Sequence, residues 1–134
     1  MSYLEKRAWI YGIVALVVPV AYALVLLARR PAAGLAGSHY AGPMLVAVGA
    51  AIVLNIVAGS LFGGPARSDE RDKAIGRLGE YAGFYVMSIA ALVPLVLAIR
   101  EAPYFWIANS LYLAFSLAAL VSSAVKIVAY RRGF

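Results

Sequence analysis

The chain contains no cysteine and only one histidine, His39, among its 134 residues. Disulfides, thiolate metal centres and a cysteine nucleophile are excluded, and one imidazole builds neither a metal cluster nor a catalytic triad. Acid is also scarce, with six Asp and Glu against twelve Lys and Arg and a net charge of +6. Charge is missing altogether from four runs, 8–28, 40–63, 81–99 and 102–125. No carboxylate or amine is therefore expected at membrane depth, where proton-coupled transport normally needs a group that loads and unloads. With no catalytic constellation anywhere, the chain reads as a non-enzyme that needs no cofactor and no metal.

What is present is apolar. Hydrophobic residues make up 64% of the chain and the mean hydropathy is +0.87, where a soluble domain has about half its residues apolar. Each uncharged run reaches or approaches the roughly 20 residues that span a hydrocarbon core of about 30 Å at 1.5 Å rise. The runs are continuous and rich in Leu, Ala and Val, unlike the alternating segments of about ten residues in a membrane barrel. The sequence thus predicts an all-α polytopic membrane protein, one domain over 1–134 with four transmembrane helices. The first run exceeds the roughly 7–15 residues of a signal-peptide core and ends in Leu26-Leu27-Ala28-Arg29-Arg30, a poor cleavage site, so it reads as a span.

The basic residues set the orientation. Lys6 and Arg7, then Arg67, Arg71, Lys73 and Arg77, then Lys126, Arg131 and Arg132 lie on one side, opposed by Arg29, Arg30 and Arg100 on the other. By the positive-inside bias both termini and the central loop are cytoplasmic. The bilayer thereby accounts for the basicity, and direct nucleic-acid binding is not expected. Aromatic anchors follow the same register, with Tyr3 and Trp9 at one boundary, Tyr40, Tyr104, Phe105 and Trp106 at the other, and Tyr130 and Phe134 at the inner end. Pro19 and Pro94, in the similar stretches Ala15–Val20 and Ala91–Val96, remove backbone donors and favour kinks. The likeness of these stretches fits a duplicated helical hairpin.

Eight of the eighteen charged residues fall in the fourteen from Arg67 to Glu80. Gly63-Gly64-Pro65 ends the second helix, and Ser68 or Asp69 is suited to cap a new one with acid in its first turn. A charged helical segment over 67–80 is expected to run into the third span, with local pairs Asp69–Lys73 and Arg77–Glu80. Lys126 and Glu80 form a further potential pair. A cytoplasmic partner would meet Asp69, Glu70, Arg71, Asp72, Arg77 and Glu80, with Arg131 and Arg132 of the tail. Gly76, Gly79 and Gly83 leave one side of this helix bare for close approach by another helix.

In the fourth span Asn109, Tyr112, Ser116, Ala119, Ser123, Lys126 and Tyr130 recur at alternating three- and four-residue spacing, a polar or small stripe on an apolar helix. Lipid does not solvate amides or hydroxyls, so the stripe is expected to face the bundle or a dimer interface. Asn55, Gly59 and Gly63 repeat similarly in the second span, and Gly59–Gly63 is a GxxxG match that reads as ordinary close packing. Asn55, Tyr85, Ser88 and Ser116 fall in the same half of the membrane. They either surround one polar pocket or make separate helix-to-helix hydrogen bonds.

The central Asp69-Glu70-Arg71-Asp72-Lys73-Ala74-Ile75 with Gly79-Glu80-Tyr81, the Phe105-Trp106-Ile107-Ala108-Asn109 opening of the fourth span, and the ending Val125 to Phe134 resemble a family of small bacterial four-helix membrane proteins. The resemblance is strongest from about residue 68 onward. Because members are often encoded beside a small helix-turn-helix regulator, it implies an inner-membrane sensor or sequestering protein for a cytoplasmic regulator. Two other classes stay open: a homodimeric small-molecule transporter, and a structural subunit of a larger membrane complex.

Overall fold

The computed structural model of the chain describes residues 2–29, 34, 39–61 and 69–133. The expected break at Gly63-Gly64-Pro65, the second glycine of the GxxxG match, Ser68, and the charges of Arg30 and Arg67 lie outside them. The described residues form the helices α1 (Tyr3–Ala28), α2 (Ala41–Leu61), α3 (Glu70–Ala90), α4 (Leu92–Ile99) and α5 (Tyr104–Arg132). Since α3 and α4 form one broken rod, four helical units are long and apolar enough to cross a membrane. The protein is an all-α, four-helix membrane protein.

Local chemistry explains where each helix begins and ends. Ser2 caps α1, its hydroxyl accepting from Glu5 N–H at 3.2 Å. Pro43 sits in the first turn of α2, where no helical partner exists for the missing N–H. Asp69, not Ser68, caps α3 through a reciprocal box: Asp72 N–H donates to Asp69 Oδ1 at 2.8 Å and Asp69 N–H to Asp72 Oδ2 at 3.2 Å. The two orphan donors are satisfied together. Pro94 has no N–H for the Ala90 carbonyl and crowds it, and the rod breaks at Ala91. Pro19, by contrast, is accommodated inside an unbroken α1. At the α4–α5 turn, Ala102 N–H donates to Leu97 O and Glu101 N–H to Ala98 O, both at 3.0 Å. This is the two-bond helix ending in which the residue after the cap is left-handed, and here that residue is Glu101, at φ 55°.

The four units form a row rather than a closed square. α5 packs against α3, α4 and α1, and α2 packs against α1. A duplicated hairpin would repeat the α1–α5 packing between α3 and α2, and no comparable packing is present among the described residues. Close approach depends on small residues. A Cβ added at Gly79 would lie 2.9 Å from the Ser122 backbone oxygen, and one added at Gly12 would lie 3.2 Å from Ser123 Cβ. Gly83 meets Ser122 and the Ala118 carbonyl in the same way, each at 3.1 Å, while Gly76 faces open space. Most Leu, Val and Ile side chains of α2 are exposed, with Leu45 at 72% and Leu61 at 75%, and in a bilayer they face hydrocarbon.

At one end, Tyr22, Leu26, Ala47 and Phe105 form the buried core, with Tyr40 and Met44 packed on it. Phe105 is thus a core residue, its ring edge-on to Tyr40 at 5.4 Å, rather than a boundary anchor, whereas Tyr104 is 84% exposed. The other, charged end carries the starts of α1 and α3 and the end of α5.

Candidate functional site

Two regions gather the polar side chains. The first is the charged end. α5 has 29 residues and so extends ~43 Å, longer than a hydrocarbon core of about 30 Å, and its last turns reach the beginnings of α1 and α3. Tyr130 Oη donates to Asp72 Oδ1 at 3.1 Å, and Arg71 Nη2 donates to the Tyr130 carbonyl at 3.4 Å. Arg131 Nε reaches Glu5 Oε1 at 3.4 Å, and its guanidinium lies 5.5 Å from the Trp9 ring centre. The ends of three helices are tied together.

This clasp revises the expected partner surface. Asp69 and Asp72 are committed to the cap, Asp72 and Arg71 also to Tyr130, and Arg131 to Glu5. The expected Asp69–Lys73 pair is replaced by Lys73–Glu70 at 3.6 Å, because the Asp69 carboxylate points back into its own cap. Arg77 and Glu80 border one shallow cleft with Tyr81 and Phe84 but form no ion pair within 4.0 Å. Glu80 and Lys126 do not pair either: the Lys126 stem lies over Gly79, about 100° around α3 from exposed Glu80. Glu70, Lys73, Arg77, Glu80, Tyr81 and Phe84 form one exposed stripe, opposite Ile75, Gly79 and Gly83, which are buried. Arg132 is exposed beyond the clasp.

The second region is a groove of about 640 Å³ between α2 and α5, floored by α1. It exists because α2 packs on α1 alone, which holds it away from α5. Its walls are mainly Val48, Ile52 and Phe115, and its polar groups come from Tyr11, Asn55, Tyr112, Ser116, Ser123 and Lys126. Ser116 Oγ is held by the Tyr112 carbonyl at 3.0 Å. Asn55 Oδ1 is buried with no hydrogen-bond partner among the described residues. Beside the groove at the charged end, Arg7 Nε donates to Tyr11 Oη at 2.7 Å, and Arg7 Nη2 lies 3.6 Å from where a Gly59 Cβ would stand.

Most of the α5 stripe therefore faces protein, as its spacing implied. Asn109 Oδ1 accepts from Tyr22 Oη at 2.5 Å while its Nδ2 donates to Phe105 O at 2.8 Å, and Ser123 is buried against Gly12. Asn55 and Ser116 share the groove, but Tyr85 and Ser88 do not. Tyr85 is 65% exposed, and Ser88 Oγ is satisfied by its own helix at Phe84 O, 2.8 Å away. Both lie off the Ile75–Gly79–Gly83 face that α3 turns toward α5. Tyr11 and Tyr22 were not singled out from the sequence, and Arg7 only as a mark of orientation. The signal was the run Tyr11, Ala15, Pro19, Tyr22, a polar or small stripe on α1 at three- and four-residue spacing like that of α5.

No family model, no curated protein and no solved structure matches this chain. The likeness drawn from residue 68 onward rests on those residues alone.

Proposed function

We propose that this protein is a non-enzymatic sensor of the bacterial inner membrane, with both termini cytoplasmic, that holds a soluble helix-turn-helix regulator at its charged end. The observation that carries this reading is the exposed stripe of α3. One face of that helix is seated on α5 through glycines and clasped by Tyr130, so the opposite face, Glu70, Arg77 and Glu80, projects from a fixed base. Helix α5 supplies the sensing link, since it lines the groove from Tyr112 to Lys126 and clasps α1 and α3 with its last turn.

The test is co-expression of the tagged full chain with the regulator that the family resemblance implies, followed by detergent extraction and affinity capture. Charge reversal at Glu70→Lys, Arg77→Glu and Glu80→Lys together is expected to abolish capture while leaving insertion and helix content unchanged. Asp69 and Asp72 are unsuitable targets because reversing them removes the α3 cap. Undiminished capture by the triple variant would refute the docking face.

A further inference from the structure

We propose that the groove between α2 and α5 binds a single-chain anionic amphiphile of the lysophospholipid type: one acyl chain, a free hydroxyl beside its ester, and a phosphate. This deepens the sensor reading by naming what the bundle senses, and it rests on four features of the groove.

The first is size. At about 30 Å³ for a group as large as a water molecule, 640 Å³ holds about 20 such groups, enough for one chain with its linkage and too few for two. The second is shape. From Tyr112 to Lys126 the α5 wall rises ~21 Å, faced by Val48 and Ile52 of α2, a slot suited to one extended chain that enters sideways from the bilayer.

Charge is the third feature. The groove ends at Lys126, which has no carboxylate within 4.0 Å among the described residues, and beside the groove, against Tyr11 and Gly59, Arg7 likewise has no carboxylate within that distance and donates to the neutral Tyr11 hydroxyl. Two cations at the end of an apolar slot complement a phosphate. The fourth is Asn55, one turn deeper than Gly59 and Arg7. Its Oδ1 is buried as an acceptor without a donor, which is costly in a water-free interior, and because Asn55 lines the groove a turn of its amide brings that oxygen to a bound ligand. The ester oxygens of a diacyl lipid only accept. A free glycerol hydroxyl lying below the phosphate donates, which selects the single-chain form.

Binding is read directly on the detergent-extracted full chain by native mass spectrometry, with lysophosphatidate, phosphatidate and lysophosphatidylcholine of matched chain length as probes. Lysophosphatidate is expected to bind about ten-fold tighter than either of the others, over the choline lipid for one or two added charge contacts near a membrane surface and over phosphatidate for the hydroxyl donated to Asn55. Lys126→Gln should erase its advantage over the choline lipid, and Asn55→Leu its advantage over phosphatidate. Ala51→Phe, which fills the slot, should weaken all three. Equal binding of the three probes by the unaltered protein, which requires no variant to fold, overturns the proposal, as does unchanged binding by Ala51→Phe. Regulator capture is a separate readout, so failure of the lipid site and failure of the docking face are distinguished.

Discussion

Two glycines three residues apart on α3 should respond differently to the same substitution. A methyl added at Gly76 meets nothing within 4 Å. One added at Gly79 would lie 2.5 Å from Lys126 Cγ and Cε and 2.9 Å from the Ser122 backbone oxygen. Both Gly→Ala changes gain about 1 kcal/mol of helix propensity, so that contribution cancels between them. What remains at Gly79 is the cost of moving α5, about 1–3 kcal/mol for overpacking a close interface. Gly76→Ala is expected to stabilise by about 1 kcal/mol, and Gly79→Ala to fall about 1–3 kcal/mol below it. The Lys126 stem can swing aside but the Ser122 carbonyl cannot, so adding Lys126→Ala to Gly79→Ala should recover only part of the difference. The assay is SDS-induced loss of helix in the detergent-extracted protein, followed by circular dichroism, with all variants titrated under identical conditions. Equal stability of Gly76→Ala and Gly79→Ala would refute the close α3–α5 seat.

The Tyr22–Asn109 bond links α1 to α5 away from water, and a double-mutant cycle with Tyr22→Phe and Asn109→Leu should return a coupling of about 0.6–1.7 kcal/mol; zero coupling in the same SDS titration would remove it as a tie between the hairpins. At the α4–α5 turn Glu101 has φ 55°, a conformation that costs a non-glycine residue about 1–2 kcal/mol. Glu101→Gly should therefore raise the unfolding midpoint, and a lowered midpoint would show that the Glu101 side chain contributes more than its backbone strain costs.

Much of the architecture was legible in the residues. The uncharged runs correspond to the four crossing units, and the acidic turn at Asp69 to Asp72 marks the start of α3. Glycines at 79 and 83 and the α5 stripe marked two contact faces in advance, because helical periodicity fixes which residues share a side whatever lies opposite. Partner choice was less legible. Asp69 had Lys73 at a suitable spacing, yet its carboxylate went to the cap, since a backbone N–H two to three residues on is nearer and cannot swing away. Arg131 and Asp72 were read as available to a partner, and each found a residue more than 50 positions away in the chain. Tyr85 and Ser88 matched the depth of Asn55 and Ser116, but depth says nothing of azimuth, and they lie on a face turned from the groove.

By itself the sequence determined that this protein is four apolar helices with one charged segment between its halves, because hydrophobic length and the placement of charge are properties of the chain read in one dimension. Only the tertiary structure decided that the helices stand in a row with α2 attached through α1. That choice turns on small residues permitting contact at Gly12, Gly79 and Gly83, and on no comparable seat between α2 and α5. The groove, the unpartnered Asn55 oxygen within it, and the division of the charged segment into an inward clasp and an outward stripe all follow from that arrangement. They depend on distances between residues remote in sequence, which no spacing along the chain encodes.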